Sequence, residues 1–586
     1  MSISNETAQA HQNDPAVLCC LTRKGTVLTP AELEDPEIFP DLEESGLLAL
    51  GDGVLKISQV IGAKLTRDCD GMTPLTPSLL EGFQEEAAPA APEKPAAEPP
   101  AEQRRDGNPE AVSPAPAAGG TVHIKIEKSE GLTLDFPVGF APAAGGTGTL
   151  PAAAPAEPEP EDRVIRTLTK KYYPVREVKL TDRTAYEGGV LSIDEGILQK
   201  AAACNPLVKK VTMDVVTPEN RHVYSNTVMD VIPVATKAEG RLGEGVTNVL
   251  GGMVFILTGM DEAGVQIHEF GSCEGFLDEK IRYGRPGSPD QDDIMVRVDV
   301  QVQRNTGMER RGPFAAHCAC DVVIEEIRRK IRDLSAQTPE KEETFSDVRR
   351  VGRPRVVLVK EIMGQGAMHD NLLVPAEPCG VAGGQKNVDL GNVPVVLSAN
   401  EVLDGGVHAL ACIGPATKEI TRHFFREPLV MRLQKDEELD LVGVVFIGSP
   451  QVNDEKTYVS QRLGALVEAL NVEGAIVTTE GFGNNHIDFS ENIAAIGSRG
   501  IPVVGVTYAA YQGQLVIGNK YMDAMIELNK DPEGFENEIL CDNTLCPEDA
   551  ARAVLMLKTK MAGIPIAAPN RKWTQSVVAE NQKLVP

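Results

Sequence analysis

Cys412 lies at the centre of a run, residues 401–426, in which a small apolar stretch is followed by a Gly-Pro turn. A cysteine thiolate is intrinsically very nucleophilic and can attack a neighbouring carbonyl carbon. Ala411, the residue before it, is small and leaves its own carbonyl open to attack, and Gly414-Pro415 favours a turn just beyond. Ordinary packing is the simpler explanation of a single cysteine, because a free thiol behaves as a small apolar side chain.

The run His317-Cys318-Ala319-Cys320 resembles a metal-binding motif, a metal clip in which closely spaced cysteines bind one ion. It falls near the start of a predicted helix, however, and residues two apart do not share a helical face. No second Cys-x-x-Cys pair completes a tetrahedral set. Cys541 and Cys546 are spaced even more loosely. We expect structural packing at both places and therefore no metal site, although a ligand role for Cys318 or Cys320 stays open.

Two loops that follow apolar strands are rich in small and polar residues, 364–371 and 479–486. They contain His369 and His486. A lone histidine is more often hydrogen-bonded and structural than catalytic. The position after a strand raises the chance of a catalytic role only somewhat. The second loop could bind an anion through backbone N–H groups, but it lacks the lysine and the spacing of a P-loop.

The composition excludes several classes of function. Among 586 residues, 85 are acidic and 57 are Lys or Arg, which gives a formal charge of −28. Nucleic-acid binding needs a basic surface, so we expect no nucleic-acid partner. No apolar run approaches the ~20 residues that span a bilayer, and the N-terminus lacks a signal peptide. We therefore expect a cytoplasmic protein without membrane insertion, whose eleven cysteines are reduced.

The elements that must position these residues fall into four parts. Residues 1–83 predict a small α+β unit, and 84–162 an Ala/Pro/Glu-rich linker with a strand or hairpin near 120–140. Residues 163–335 predict a mixed α+β domain, and 353–586 an α/β domain that contains Cys412. The predicted fold class is thus α/β, with mixed α+β units followed by a C-terminal, mostly parallel sheet that has helices on both faces.

Hydrophobic patterns locate the individual elements. In the first part, 16–21 and 25–28 alternate like a hairpin, and in the third part several alternating strands favour antiparallel pairs. In the fourth part, apolar strands interleave with helices. The predicted strands there are 355–363, 393–397, 439–448, 474–479 and 501–507, and the predicted helices are 455–470, 488–498 and 547–561, after a helix over 313–334 that closes the third part.

Several motifs resemble one known family. Glu401-Val-Leu-Asp-Gly-Gly, Cys412, Pro428-Leu-Val, Val442-Gly-Val-Val and Glu480-Gly-Phe-Gly-Asn are similar to the cleaved subunits of clostridial Stickland reductases, which act on D-proline, glycine, sarcosine or betaine. The resemblance extends back through 243–253 and 190–194 and covers about 165–586. Residues 16–43 and 412–419 resemble the D-proline branch in particular.

The resemblance implies that Cys412 is a processing site. Self-cleavage of the Ala411–Cys412 bond would give chains 1–411 and 412–586, and Cys412 would become a pyruvoyl group, a covalent cofactor that acts as an electron sink. The two products should stay associated through a shared core. A neighbouring base, for which His408 is a candidate, would assist the cleavage.

The same resemblance implies the reaction and its partners. D-proline would bind to the pyruvoyl carbonyl, which weakens its Cα–N bond, and a selenocysteine-containing reductase subunit would open the ring to give 5-aminovalerate at the expense of a dithiol. The protein would then be part of a hetero-oligomer. Asp404 is a candidate to stabilise a cationic intermediate. The sequence does not show which residues bind the substrate carboxylate, though Lys418, Arg422 and Arg426 lie nearby.

Three other functions remain open from the sequence. One is the pyruvoyl subunit of a glycine, sarcosine or betaine reductase, which shares the chemistry but takes other amines. Another is an uncleaved scaffold that only positions the selenoprotein. The third is a pyruvoyl decarboxylase, which is disfavoured because such enzymes usually derive the group from serine.

Overall fold

The computed structural model describes residues 3–83 (except 4, 20–21, 37–38, 40–47, 49, 52, 68 and 70–72), 121–126, 132–137, 161–566 (except 268–272, 308–310, 363–371, 374–387, 390–391, 410–418, 451–452, 482, 509–514, 516 and 536), and 579 and 583. The chain divides into two compact units, residues 1–159 and 160–586. Within the described residues, no helix is both long and apolar enough to cross a membrane. The finer boundary near 335–353 stays a prediction.

The first unit is built from short elements around a small core. Its elements are α1 (Asn5–Ala10), α2 (Ile57–Val60), β1 (Lys64–Leu65), β2 (Leu80–Glu81), β3 (Thr121–Ile126) and β4 (Leu132–Pro137). Strands β3 and β4 form an antiparallel hairpin, as predicted for 120–140. The hairpin predicted within 16–28 is wrong, because Leu18 pairs with Leu33 and Val27 with Lys64. Leu18 and Leu28 are buried in one core, which sets these long-range pairings.

In the described residues, the first part of the second unit contains four sheets and one long helix. Its elements are β5 (Arg163–Pro174), β6 (Glu177–Thr181), β7 (Ala185–Glu187), β8 (Val190–Asp194), α3 (Ile197–Ala203), β9 (Val208–Val216), β10 (Tyr224–Ser225), β11 (Val228–Ile232), β12 (Ala235–Glu239), β13 (Gly245–Gly251), β14 (Met253–Asp261), β15 (Gly275–Phe276), α4 (Leu277–Lys280), β16 (Ile294–Val302), α5 (Arg311–Ile331) and β17 (Lys341–Arg349).

The main sheets of this part have the strand orders β11-β14-β16-β9 and β12-β13-β5-β17. The predicted antiparallel pairing holds for β9 with β16 and for β11 with β14, but β14 and β16 are parallel. Helix α5 buries Ala319, Val323 and Ile327 in the same cluster as Phe255 and Val298. These positions recur every three to four residues, which gives the helix one apolar face.

The second part carries the remaining elements. They are β18 (Arg355–Ile362), β19 (Leu372–Leu373), β20 (Val388–Asp389), β21 (Val395–Leu397), α6 (Ala399–Leu403), β22 (Val407–His408), α7 (Thr421–Phe425), α8 (Pro428–Gln434), β23 (Asp440–Gly448), α9 (Asn453–Leu470), β24 (Gly474–Thr479), α10 (Asn485–Gly497), β25 (Val503–Thr507), β26 (Met525–Glu527) and α11 (Pro547–Met561).

The prediction of a mostly parallel C-terminal sheet is confirmed. Its order is β21-β23-β18-β24-β25-β26, with β21 antiparallel and the other strands parallel. Val356 and Leu358 of β18 are buried with residues of α8 and α11, whereas Val357 and Val359 are buried with residues of α9 and α10. A strand covered in this way has no polar face, which explains its continuous apolar sequence.

A second, smaller sheet lies between these strands in the sequence. Strand β19 pairs antiparallel with β20 and with β22, where Leu372 lies opposite His408. Cys412 therefore does not come directly after the strand at 393–397, because α6 and β22 intervene. The two parts of the unit share a core, since Leu168 of β5 and Phe345 of β17 belong to the buried cluster of Val356 and Leu358.

Candidate active site

Helix α5 presents a histidine and a carboxylate on one face. His317 and Asp321 are four residues apart, so their side chains lie one above the other. Both are buried. His317 Nδ1 lies 2.8 Å from the Pro313 carbonyl oxygen, and its Nε2 lies 3.3 Å from Oδ2 of Asp230 on β11. The helix thus points one imidazole at a buried strand carboxylate.

His408, at the end of β22, meets the other side chain of this face. Its Nε2 lies 3.1 Å from Asp321 Oδ2 and 3.2 Å from Oδ1. Its Nδ1 is buried and has no hydrogen-bond partner among the described residues. The rings of His408 and His317 are 5.3 Å apart, edge to face. Three chain segments thus bring two imidazoles and two carboxylates together, and we call Asp230, His317, His408 and Asp321 the His-Asp cluster.

Thr421, the first residue of α7, connects the His-Asp cluster to the chain on both sides of 410–418. Its backbone N–H and its Oγ1 both donate to Asp230, at 3.0 and 2.6 Å. The Thr421 Oγ1 accepts a hydrogen bond of 3.0 Å from the Ala409 N–H. The two ends of the segment that contains Ala411 and Cys412 are therefore joined at the His-Asp cluster. Ala411 and Cys412 themselves lie outside the described residues.

A second buried cluster begins just after that segment. The Lys360 ammonium of β18 lies 2.6 Å from Glu419 and 2.9 Å from Glu427, and His423 lies 3.4 Å from Glu419. We call these four residues the Lys-Glu cluster. Burial opposes the charged carboxylate, but the charges of Lys360 and His423 outweigh it and lower the pKa of Glu419 to about 2. Likewise, burial opposes the imidazolium, but the Glu419 charge raises the pKa of His423 above its usual value.

A third polar group lies at the carboxyl ends of the parallel strands. Glu361 of β18 accepts hydrogen bonds from Thr479 (3.0 Å) and Asn492 (2.8 Å), and Lys456 forms an ion pair with Asp488. Burial, followed by the charge of Asp488, raises the pKa of Glu361 well above its usual value. Burial therefore favours the neutral form of this carboxyl group.

His486, one of the two loop histidines singled out by the sequence, belongs to this edge of the sheet. Its Nε2 lies 3.0 Å from Thr507 Oγ1 and 3.2 Å from the Tyr508 carbonyl oxygen, and burial lowers its pKa to about 4. A neutral histidine bonded to a strand end fits the structural role expected of a lone histidine. His369, the other one, lies outside the described residues.

The cysteines of the presumed metal clip are not brought together as ligands. Among the described residues, two groups have ligand atoms close enough to bind one ion, Asp230/His317/His408 and Glu419/His423/Glu427, and neither contains a cysteine. Burial raises the thiol pKa of Cys318 and of Cys320. Burial likewise raises the pKa of Cys541 to about 12 and that of Cys546 to about 12. Structural packing fits all four.

Arg422 and Arg426, suggested above as readers of a substrate carboxylate, are engaged within the protein. Arg422 donates to Asp293 (2.7 Å) and Asp290 (2.9 Å), and Arg426 donates to Asp290 (2.9 Å) and to the Pro286 carbonyl oxygen (2.9 Å). These contacts hold α7 against the loop before β16. They favour a structural role for both arginines, and Lys418 lies outside the described residues.

Asp404 is also committed to structure. Its carboxylate accepts hydrogen bonds from Lys237 (2.8 Å), Thr247 (2.6 Å) and the Gly243 N–H (2.8 Å). Gly243 has φ +81°, and a Cβ there would come within 3.0 Å of the Glu401 backbone nitrogen. This close approach accounts for the glycine in the 243–253 motif. Asp404 thus ties the β12–β13 hairpin to α6.

Sequence reasoning named His408 but missed Asp230, His317 and Asp321 as a group. The signal for the helical pair was present, because His317 and Asp321 have the i, i+4 spacing that Cys318 and Cys320 lack. Asp230 gave no comparable signal, since it is a single acidic residue within the apolar strand β11. Its proximity to α5 depends on how the sheet packs against the helix.

Comparison with known proteins identifies the family of the chain. The family model described as glycine/sarcosine/betaine reductase component B subunits matches residues 166–526. The chain belongs to this family of reductase component B subunits. The D-proline reductase proprotein of Acetoanaerobium sticklandii is 49% identical over 600 residues, covering 100% of this chain and 95% of its own length.

More distant relatives belong to the glycine and sarcosine systems. The glycine reductase complex component B subunits alpha and beta of Acetoanaerobium sticklandii are 24% identical over 58% of this chain. The sarcosine reductase complex component B subunit alpha of Peptoclostridium acidaminophilum is 24% identical over 57%. No solved structure matches the chain. The protein is thus a component of an amino-acid reductase system, most similar among these relatives to a D-proline reductase proprotein.

Proposed function

We propose that this protein is the proprotein subunit of a D-proline reductase, which cleaves itself between Ala411 and Cys412 and converts Cys412 into a pyruvoyl group. The observation that carries the proposal is the full-length similarity, 49% identity to a D-proline reductase proprotein against 24% to the glycine and sarcosine subunits. The word proprotein in the name of that relative is in keeping with a chain that is processed.

The cleavage can be written as a balanced series of steps. The Cys412 thiol attacks the Ala411 carbonyl carbon, and the peptide nitrogen leaves, so that the amide becomes a thioester. Loss of the Cys412 Cα proton then expels the thioester sulfur with the first chain and leaves a dehydroalanine at the new N-terminus. Tautomerisation and hydrolysis of that residue give the pyruvoyl group and ammonia, and the thioacid on the first chain hydrolyses to a carboxylate with release of hydrogen sulfide.

The surroundings of the segment support such a reaction. Ala409 is hydrogen-bonded to Thr421, and Cys412 lies three residue positions further along the chain, a reach of about 11 Å at most. Because Ala409 and Thr421 are joined, a thiol in the chain between them would lose less conformational freedom in approaching the preceding carbonyl. The His-Asp cluster lies at this junction and supplies buried polar groups next to the segment.

Strand order explains how two products would remain one protein. Strand β18 comes before the cleavage site in the chain, and its two neighbours in the sheet, β23 and β24, come after it. Lys360, from the first product, is paired with Glu419 and Glu427 from the second. A buried parallel sheet with interleaved strands from both products would hold them together without a peptide bond.

The proposed reaction consumes D-proline and two electrons. The pyruvoyl group would supply an electron-withdrawing carbonyl for the substrate nitrogen. The selenolate of a selenocysteine-containing subunit would attack Cα and break the Cα–N bond. A dithiol would then reductively cleave the selenium–carbon bond, which releases 5-aminovalerate and converts the dithiol into a disulfide. The working enzyme would then be a hetero-oligomer of both cleavage products and the selenoprotein.

Intact mass spectrometry under denaturing conditions tests the cleavage. We expect two chains, 1–411 and 412–586, that elute together from a native sizing column, and a shorter chain whose N-terminal carbonyl reacts with borohydride or hydrazine. Cys412→Ala should abolish both, whereas Cys204→Ala, which changes an exposed cysteine, should leave both unchanged. A single 62.8 kDa species with Cys412 intact in the wild type would contradict the proposal and favour an uncleaved scaffold.

Substrate identity needs a separate assay. The purified complex, incubated with dithiol and the selenoprotein, should convert D-proline to 5-aminovalerate and leave glycine, sarcosine and betaine unchanged. Conversion of glycine in place of D-proline would assign the chain to the glycine branch while leaving the cleavage chemistry intact.

A further inference from the structure

We propose that Asp230, His317 and His408 bind a divalent first-row transition metal ion, with Asp321 orienting His408. The three residues offer ligand atoms that all lie within 4.8 Å of one another, and all three side chains are buried. Two histidines and one carboxylate are a ligand set that binds Zn2+ or Fe2+ in many proteins. No step of the proposed cleavage is assigned to a metal ion, and the site was not expected from the sequence.

The distance between His317 and Asp230 suits two ligands of one ion. Their nearest atoms are 3.3 Å apart. Zinc–nitrogen and zinc–oxygen bonds of about 2.0–2.1 Å at a tetrahedral angle place neighbouring ligand atoms about 3.3 Å apart. A charge-assisted hydrogen bond between an imidazolium and a carboxylate is shorter, about 2.7–2.9 Å. The spacing is thus closer to that of shared coordination than to that of a direct ion pair.

Each histidine has one ring nitrogen held by an acceptor that fixes its tautomer. The Pro313 carbonyl oxygen can only accept, so His317 Nδ1 carries a proton and Nε2, which faces Asp230, is the nitrogen available to an ion. Asp321 accepts from His408 Nε2, which leaves the buried Nδ1 as the nitrogen available to an ion. Metal-binding histidines typically show this arrangement, a carbonyl or carboxylate on one nitrogen and the ion on the other.

Two ring nitrogens and one carboxylate thus share a buried region. An ion bound there would add to the hydrogen bonds that Thr421 and the Val231 N–H already donate to Asp230. Three protein ligands would leave at least one coordination position for water or for an oxygen of another molecule, as in catalytic zinc sites. All three ligands precede residue 411, so the site would remain within one product after cleavage.

The first test measures metal bound by the full-length purified protein. After dialysis against metal-free buffer, Zn2+-loaded protein should retain an equimolar amount of Zn2+, measured by inductively coupled plasma mass spectrometry. Substitution with Co2+ should produce the intense visible absorption of a four- or five-coordinate site in place of the weak band of aqueous Co2+. Asp230→Asn and His317→Gln should each abolish both signals.

His423→Gln is the matched control, because it removes a buried histidine from the Lys-Glu cluster and should leave the Zn2+ content and the Co2+ spectrum unchanged. Asp321→Asn should retain the site but weaken Zn2+ binding by roughly 10- to 100-fold, as loss of an orienting carboxylate does. Circular dichroism and thermal unfolding establish that each variant is folded, and two ligand variants are used so that a folding defect in one does not decide the result.

Three outcomes would overturn the proposal. One is wild-type protein that retains neither Zn2+ nor a Co2+ band. Another is folded ligand variants that bind as much metal as the wild type. The third is cleavage that proceeds in metal-free wild-type protein but is blocked by His408→Gln, since His408 would then be a base and not a ligand. Failure to cleave in a protein that binds the metal would contradict the proposed function and leave this site standing.

Discussion

The His-Asp cluster and the Lys-Glu cluster both bury histidine beside carboxylates, yet they differ in how their charges are compensated. The last residue of the first cluster is His408, and three of the four residues of the second, from Glu419 on, follow it, so the segment that contains Cys412 lies between them in the chain. In the Lys-Glu cluster, the ammonium of Lys360 lies within 3 Å of both glutamates. In the His-Asp cluster, the described partners of Asp230 are backbone N–H groups, the Thr421 hydroxyl and His317.

This difference indicates different roles for two similar sets of residues. A lysine that is already part of the cluster occupies the position of a cation and completes an ion-paired network that holds α7 and α8 to β18. Glu427 also accepts a hydrogen bond from the Val430 N–H and thereby caps α8. The His-Asp cluster instead presents ring nitrogens and a carboxylate to one another, which is the chemistry of a ligand set or of proton transfer.

The largest expected effect comes from removing the internal cation. Lys360→Met should lower the free energy of unfolding by about 3–5 kcal/mol, because it leaves two buried carboxylates without their partner. Urea denaturation followed by circular dichroism measures it. Adding Glu419→Gln and Glu427→Gln should recover part of the loss. Lys179→Met, which changes an exposed pair with Glu177, should cost no more than about 1 kcal/mol.

A smaller effect is expected at Thr421, which joins the His-Asp cluster to α7. Thr421→Val keeps the shape but removes both the donor to Asp230 and the acceptor for Ala409, so the free energy of unfolding should fall by about 1–3 kcal/mol. Thr421→Ser should behave as the wild type, since it retains the hydroxyl. Equal stability of the valine and serine variants would show that the hydroxyl contributes nothing there.

The smallest effect is a pH dependence that belongs to the Lys-Glu cluster alone. The pKa of His423 is raised in the folded protein, so its contribution is present below about 6.5 and is lost as pH rises through the raised value. The pKa of Glu419 is lowered to about 2, so its contribution is present above about 4.5 and is lost as pH falls towards 2.

The urea midpoint of the wild type should therefore exceed that of His423→Gln by the most between about pH 4.5 and 6.5. The difference should shrink on both sides of this window. A difference that does not change from pH 4 to pH 9 would mean that His423 is not charged in the folded protein.

The sequence predicted local elements well where hydrophobic patterns are long. The helix at 547–561 and the strand at 474–479 are observed with these bounds, and 313–334 corresponds to α5 at Arg311–Ile331. Continuous apolar runs separated by amphipathic helices correctly indicated a mostly parallel sheet, because strands covered on both faces have no polar side. The chemistry at Cys412 was reached only through the family resemblance and stays a proposal.

The pairing of distant segments was less predictable. Alternation in 16–28 indicated a hairpin, yet Leu18 and Val27 pair with residues elsewhere, and β14 and β16 proved parallel. A strand's own sequence reports which face is buried, but not which neighbour completes its hydrogen bonds. The same limit applies to Arg422 and Arg426, whose partners Asp290 and Asp293 are more than 120 residues away in the chain.

The sequence by itself determined the element types, the parallel sheet and, through its motifs, the family and the candidate cysteine. The tertiary structure decided which polar residues meet. Asp230, His317 and His408 lie on a strand, a helix and a short edge strand that are far apart in sequence, and their grouping depends on packing between these elements. Spacing along the chain reports contacts only within a helix turn or a strand, whereas a buried site is assembled from whatever segments the core brings together.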